Sequence, residues 1–451
     1  MENISVISKE NMSTVLRSGL ELMKDYDPEL ASALLDEQDR QKEQLVLVAS
    51  SSVVNPNVLF SQCTAAINTT AEGYPGARYH AGCINVDKIE SIAIERAKSV
   101  FNATFANVQA HAASTANLSL ISAILQPGDT LLGMDLSSGG HLTHGAPASF
   151  SGKGYNSISY HTNADGIIDY EEVFSLARKH KPKLIICGTT AYARQVDFEK
   201  FNEIAIEIGA YLLADISHIA GLIIAGKHPS PIDLAHFTTT CTHKQMYGPR
   251  GALILGGKLT ESAKSPNGDM SLERFIQRAI FPHFQGAPVM NRISALAHSL
   301  KFNSTVEFKN LATNIQKNAK ILADGLKKKG YKVVSDGTDT HIVLIDLINK
   351  KMSGYVAEKA LEKCNIIVNK NRVPGDTTAA FVSRGIRLGT NTISYRQFTE
   401  DNIEKIIDIF DKVINEIIPV SEKEYSISES FVQSIKKEVR ELTAQHPIPG
   451  Y

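Results

Sequence analysis

No sign of charge dominates this chain of 451 residues: Lys and Arg total 47 against 48 for Asp and Glu. Such a balance offers neither nucleic acid nor an anionic membrane a field to respond to. No apolar run comes near the ~20 residues of a membrane-spanning helix. The five cysteines (Cys63, Cys83, Cys187, Cys241 and Cys364) are scattered without paired CxxC spacing. Their scatter argues against a disulfide framework and against a zinc site, so no metal is expected and a reducing cytoplasm is. The opening MENISVISKE carries acids early and has no apolar h-region, so no signal peptide is expected. Internal repeats and low-complexity stretches are absent. What is there, 43% hydrophobic and 21% charged residues, is the composition of an ordinary soluble globular protein. The length predicts two domains.

Along the chain, short apolar segments alternate with helical ones. Leu131–Asp135, Leu184–Cys187, Tyr211–Asp215 and Ala252–Leu255 are expected as strands, and Tyr170–Lys179 and Phe201–Ile208 as helices between them. An amphipathic helix is expected over 88–104, where Ile89, Ile92, Ala93, Ala97, Val100 and Phe101 share one face. The alternation predicts an α/β fold with a mainly parallel sheet covered by helices. Residues 1–68 form an expected N-terminal arm, with a charged helix over Asp36–Gln44 leading into Leu45–Val48; 69–302 form a large domain. The remainder, 303–451, forms a smaller α+β domain with a tail: helices at 311–328, 355–363, 400–417 and 427–442, and strands at 331–334, 342–346, 366–368 and 386–388.

Phe237-Thr-Thr-Thr-Cys-Thr-His-Lys244 places one lysine at the mouth of a β-branched strand, among hydroxyls and an imidazole, before Gly248-Pro249 breaks the chain. A lysine desolvated there can form a Schiff base with a carbonyl compound, and pyridoxal phosphate is the usual partner. On its own the segment is equally compatible with a strand end bearing a solvated lysine. Upstream, Tyr211-Leu-Leu-Ala-Asp215-Ile-Ser-His218 ends an apolar strand in an acid. Pyridoxal phosphate enzymes need a carboxylate against the pyridine nitrogen, although an acid closing a strand is often only a helix cap.

With these two residues placed, the chain resembles serine hydroxymethyltransferase, a fold-type I pyridoxal-phosphate family, along nearly its whole length. The matching stretches are Ala71-Glu-Gly-Tyr-Pro-Gly-Ala-Arg-Tyr79, Gly139-Gly-His-Leu-Thr-His-Gly145, Asp215-Ile-Ser-His-Ile-Ala-Gly221, Thr242-His-Lys244 with Gly248-Pro-Arg250, and Gly385-Ile-Arg-Leu-Gly-Thr390. The resemblance implies an aminotransferase-like fold with a sheet of seven-stranded type, pyridoxal 5'-phosphate as cofactor and tetrahydrofolate as co-substrate. It implies that Lys244 anchors the cofactor, Asp215 meets its ring nitrogen, His141 stacks on the ring and His218 lies near its phenolic oxygen. Ser114, Ala113, Thr190, His243 and Gly286 resemble further cofactor-binding positions. Arg387 and Ser50 are similar to residues that take the substrate carboxylate, with Tyr79 and His80 nearby. Glu72 resembles the acid at the hydroxymethyl group. Leu136, Gly140, Leu142 and Asn371 resemble pterin positions. In the family Glu72, Tyr79 and the Gln285-Gly286 loop serve the neighbouring subunit's site, which implies a homodimer or a tetramer.

Departures from the family cluster at the same site. Thr70 stands for a tyrosine, His80-Ala81-Gly82-Cys83 for Tyr-Gly-Gly-Cys, Ser50-Ser51-Ser52 for Ser-Glu-Asn, and Ala112-Ala113-Ser114 for Ser-Gly-Ser. His283-Phe284 replaces Gly-Gly before Gln285-Gly286, and Arg194, Arg372 and Arg384 replace small residues. The expected activity is hydroxymethyl transfer between serine and glycine. Exchange on α-methylserine and D-alanine, prompted by Thr70, a folate-independent aldolase or transaldolase, and a catalytically weakened regulatory homologue stay open as alternatives.

Overall fold

The computed structural model describes residues 4–450. Its centre is a seven-stranded sheet in the order Phe105–Asn107, Ala252–Gly256, Phe237–Cys241, Tyr211–Asp215, Leu184–Gly188, Thr130–Met134, Asn156–Tyr160. Ala252–Gly256 runs antiparallel to both neighbours, and the five strands beyond it pair in parallel. Side-chain alternation divides each strand between two apolar layers. Leu132, Ile185, Leu212 and Leu253 enter one core, and Leu131, Ile186, Leu213 and Ile254 the other. Helices cover both faces, which is why the strands read as unbroken apolar runs. This is the expected α/β architecture.

A second sheet, Lys332–Val333, Ile342–Asp346, Gly385–Gly389 and Asn369–Asn371, is antiparallel throughout. Its Val343, Ile345, Ile386 and Leu388 pack with the Val306–Lys328, Gly354–Lys363, Glu400–Glu416 and Glu429–Gln445 helices in a separate core. Leu45 and Leu47 belong to that core, because Leu45–Val46 pairs in parallel with Ile366–Ile367.

Several boundaries differ from the sequence reading, each for a local reason. The charged helix begins at Pro28, where Asp27 accepts from the Leu30 N–H and proline needs no donor partner. The helix expected from 88 begins at Ile84 and stops at Phe101, where Asn102 turns left-handed at φ 53°. The helix expected from 311 starts at Val306, capped by the Thr305 hydroxyl on the Phe308 N–H. Of 331–334 only Lys332–Val333 is strand. The Ala113–Ile124 and Met290–Asn303 helices carry no amphipathic stripe to betray them, since they are buried on several faces.

One crossing ties the second sheet to the arm. The Leu47 carbonyl accepts from Gly389 N at 2.8 Å, and the Ala49 carbonyl accepts from His341 Nε2 at 3.1 Å and Asn391 Nδ2 at 3.0 Å. Gly389 is required there, because a Cβ on it would stand 2.3 Å from Ala49 Cα. Gly389→Ala is therefore expected to destabilise the fold by about 1–3 kcal/mol through forced separation of two backbones. A lower urea midpoint with unchanged slope would bear this out; an unchanged midpoint would mean that the arm is loosely held.

Candidate active site

Five loops leave the carboxyl ends of the large sheet on the same edge, where open α/β sheets bind ligands. They carry Ala112–Ser114, Asp135–Gly145, Thr190, Asp215–His218 and Thr242–Lys244. A glycine pair lets two of them touch. Thr190 N and Oγ1 donate to the Gly139 carbonyl at 2.7 and 2.9 Å, and Oγ1 also reaches the Gly140 carbonyl at 2.5 Å. A Cβ on Gly140 would fall 2.0 Å from the Met134 carbonyl oxygen.

Asp215 is 6% exposed and fully engaged. Oδ2 accepts from Asn117 Nδ2 at 2.8 Å and His144 Nε2 at 3.1 Å, and Oδ1 accepts from Ser217 N at 3.0 Å. Burial alone would push the carboxyl up. The His144 hydrogen bond and charge, the charge of His141 and the Ser217 donor outweigh it, so its pKa lies well below the ordinary carboxylate range. The donors are themselves fixed. Thr239 Oγ1 donates to Asn117 Oδ1 at 2.6 Å, and Asn117 Nδ2 also reaches Thr143 Oγ1 at 2.9 Å. Thr143 then meets His141 Nδ1 through its hydroxyl at 2.9 Å and its N–H at 3.3 Å. Because His144 Nδ1 accepts from His141 N at 3.3 Å, its Nε2 carries the proton given to Asp215.

Four imidazoles surround Lys244. Burial depresses each, and the lysine charge contributes in every case: His141 falls to about 4, His243 to about 4, His341 to about 3, and His218 well below its ordinary value. His218 and His341 are stacked, with ring centroids 5.6 Å apart and planes 16° from parallel. Lys244 makes no ion pair among the described residues. His243 Nε2 meets Arg250 Nη1 at 3.3 Å and its carbonyl accepts from Ser52 Oγ at 2.5 Å, while its buried Nδ1 has no partner. Ser50 lies half-buried two residues before Ser52.

Arg387 donates to the Thr190 carbonyl at 2.7 Å and to Asn369 Oδ1 at 3.0 Å. Burial pushes its pKa down to about 10, and neither partner is a carboxylate. The other arginines singled out from the sequence are committed. Arg384 grips buried Asp346 at 2.8 and 3.1 Å, Arg194 meets Asp339 at 3.1 Å and the Ser335 carbonyl, and Arg372 donates to the Thr378 carbonyl at 2.9 Å. Asn371 Nδ2 turns back onto the Arg372 carbonyl. Leu136 and Leu142, 40% and 52% exposed, flank the Gly139–Gly140 turn as bare apolar surface.

Thr70, Glu72, Tyr79, His80 and Gly286 form a second group. His80 Nε2 lies 3.3 Å from Glu72 Oε2, a Cβ on Gly286 would meet Glu72 Oε1 at 3.5 Å, and Tyr79 packs edge-on against Phe281. Thr70 is exposed, with its carbonyl 3.9 Å from Cys83 Sγ. Among the described residues, no hydrogen bond or ion pair joins this group to Lys244, Asp215 or Arg387. Ser114 and Ala113 stand in the first turn of the Ala113–Ile124 helix, whose N-cap Ala112 provides no side-chain cap.

The residues around Asp215 and Lys244 suit pyridoxal phosphate. An ionised buried carboxylate matches a protonated ring nitrogen, and an orphaned His243 Nδ1 and an uncapped helix end on the same sheet edge offer groups to an anion. A serine hydroxymethyltransferase family model matches residues 23–410. The chain belongs to this family. Among its relatives are serine hydroxymethyltransferases of Coxiella burnetii strains CbuG_Q212 and Dugway 5J108-111, each 46% identical over 430 residues, covering 94% of this chain and 97% of the relative. That of strain CbuK_Q154 is 44% identical over the same span. Family membership makes the protein a pyridoxal-phosphate-dependent one-carbon transferase with tetrahydrofolate as co-substrate.

Asn117, Thr143, His144, His341 and Asn369 escaped the sequence reading. His144 lay inside the quoted glycine motif, three residues after His141; that His-x-x-His spacing was the available signal. Since the Asp215 pKa in the fold lies below its unfolded value of about 4, it contributes stability that is present above that pH and lost as pH falls. His144→Leu removes a donor, so the stability gap between wild type and variant is expected to be full at pH 6 and to shrink below pH ~4. Urea unfolding across that range measures it, with the exposed pair His161–Glu172 as control through His161→Leu. A gap that stays constant or widens in acid contradicts the account.

Proposed function

We infer that the protein interconverts serine and glycine with tetrahydrofolate as the one-carbon carrier. The observation that carries this reading is a buried, ionised Asp215 on the same sheet edge as Lys244, with Arg387 close by and free of any carboxylate. Bound pyridoxal phosphate supplies a carbonyl for the substrate amine and a protonated ring that withdraws electrons from the α-carbon.

The chain's own residues then have separable tasks. Asp215 presents an acceptor to the ring nitrogen, held in place by Asn117, His144 and Ser217. Lys244 Nζ would anchor the cofactor. His141, with Nδ1 tied to Thr143, offers a neutral ring face and its Nε2–H. His218 would face the phenolic oxygen of the cofactor, and Ser114, Ala113, His243 and Gly286 would help to hold it, Ser114 and His243 towards the phosphate. Thr190 acts by bracing Gly139–Gly140 and the Arg387 guanidinium. Arg387 takes the substrate carboxylate in its fork, helped by Ser50. Arg384 is unsuited to that task, because Asp346 already occupies its fork. Leu136, Leu142, Gly140 and Asn371 receive the pterin. Glu72, flanked by His80, Tyr79 and Thr70, holds or moves the proton of the substrate hydroxyl.

We propose that Glu72 does this in a neighbouring copy, so the working unit is a homodimer at least. The separation of the two groups of site residues within one chain supports that reading. The division at residues 69 and 303 is proposed because residues 71–300 supply the two cores of the large sheet while residues 319–442, with Leu45 and Leu47, supply the third. A cytoplasmic setting is proposed from five free cysteines, four of them buried; among the described residues no helix is long and apolar enough to cross a membrane. The α-methylserine, aldolase and regulatory alternatives gain no support from the family or its relatives.

Cofactor-loaded protein is expected to turn over L-serine only with tetrahydrofolate, and faster than α-methylserine; equal rates without folate would move the protein to the aldolases. Arg387→Ala is expected to weaken serine binding by about 2–5 kcal/mol, with no rescue by lysine, which lacks the fork. An unchanged serine affinity in Arg387→Ala would relocate the clamp. Finally, mixing inactive Lys244→Ala and Glu72→Ala proteins should restore about a quarter of wild-type activity if two chains share each site of a two-fold dimer. No recovery in mixed dimers, verified by two affinity tags, would make each site self-contained.

A further inference from the structure

The Met290–Asn303 helix buries an arginine that makes no ion pair among the described residues. Arg292 is 6% exposed. Its Nη2 donates to the carbonyls of Val108 and Gln109 at 3.0 and 3.2 Å, while Nε and Nη1 have no partner. The guanidinium lies on bare backbone, since a Cβ on Gly251 would fall 1.9 Å from Nη1. The nearest acid to act on it, Glu90, is already taken: it binds Arg78 at 2.6 Å and Gln109 Nε2 at 2.7 Å. Burial pushes Arg292 down to about 10, so it keeps its charge at neutral pH. A buried cation without an anion is costly, and proteins avoid it unless an anion arrives from outside.

The surroundings indicate where that anion binds. Val108 and Gln109 end the segment that runs directly into Ala112–Ser114. Gln285 braces the same segment, donating to the Gln109 carbonyl at 2.8 Å and accepting from His111 N at 3.3 Å. The charge of Arg292 reaches His111, whose pKa is lowered by burial and then by that guanidinium. Two residues further on, the twelve-residue Ala113–Ile124 helix begins without a side-chain cap, its first N–H groups open to an anion. In this loop Ala112-Ala113-Ser114 has one hydroxyl fewer than the family's Ser-Gly-Ser.

We propose that Arg292 is a positioning residue for the cofactor phosphate, acting by its charge from beneath the Ala112–Ser114 turn and offsetting the hydroxyl missing there. The inference rests on the pyridoxal-phosphate reading given above. Arg292 does not touch the reacting atoms. It holds the Val108–Gln109 backbone that leads into the phosphate turn and supplies positive charge near it.

The test compares pyridoxal phosphate with pyridoxal, which lacks the phosphate but still joins Lys244. Cofactor-free protein is titrated with each, and the visible absorbance of the lysine-bound form is followed. Arg292→Gln retains a donor for the two carbonyls and removes the charge. It is expected to lose tenfold or more in affinity for pyridoxal phosphate and less than twofold for pyridoxal. Arg292→Lys, which keeps the charge, is expected to retain most of the wild-type preference for the phosphorylated form. Should Arg292→Gln fail to fold, Arg292→Lys decides alone, and loss of its preference overturns the proposal. Equal losses for both compounds would make Arg292 a structural clamp only, and unchanged affinities would make it irrelevant to the cofactor; either result overturns it. A wild type that joins neither compound would overturn the cofactor reading itself, and the proposal with it.

Discussion

An ionised carboxylate at the end of a buried strand survives only if donors replace the water it has lost, and the carboxyl edge of the large sheet is organised around that requirement at Asp215. Three donors meet its two oxygens, and each donor residue makes a further hydrogen bond: Thr239 on Asn117, His141 N on His144, Cys241 N on Ser217 Oγ. Thr239, buried in the Phe237–Cys241 strand, belongs to the same set through its bond to Asn117, whereas Thr240 bonds the Cys241 carbonyl and Thr238 Oγ1 has no partner. The hydroxyl at Thr239, odd in a central strand, thus follows from the acid on its neighbour.

Arginines divide by what they grip. Arg384 on Asp346 and Arg78 on Asp87 and Glu90 have carboxylate partners and close locally. Arg396 spends its donors on backbone carbonyls from the arm and tail, joining chain ends. Arg387 and Arg292 are buried against carbonyls or an amide and hold surplus charge. In a protein of net charge −1, surplus buried cations concentrated on one sheet edge attract small anions to that edge.

Much of this was legible in the sequence, and the failures have a common cause. The parallel strands announced themselves because burial on both faces leaves unbroken apolar runs, and Lys244, Asp215 and Arg387 stood in motifs of recognisable chemistry. Asn117, Thr143 and His341 did not. An asparagine or threonine in a buried helix or turn looks like any other until its partner, up to 122 residues away, is located in space. The Met290–Asn303 helix was missed because it is buried almost all round, and Arg292 was missed with it. Starts of helices at Pro28, Ile84 and Val306 were misread because caps lie outside the periodic stretch that reveals the helix.

The crossing of residues 47–49 over the second sheet has a consequence for biosynthesis. Leu47 and Ala49 precede every strand of the large sheet in the chain, yet their partners, Ile367, Gly389, His341 and Asn391, all follow it. Every strand of the large sheet, Asp215 and Lys244 included, is complete by residue 256. During synthesis the large sheet can therefore close while Leu47 and Ala49 still wait for His341, 85 residues past Gly256, and for Gly389, 133 residues past it. The Arg387 side of the site is finished last, when the Gly385–Gly389 strand draws that earlier stretch of chain into place.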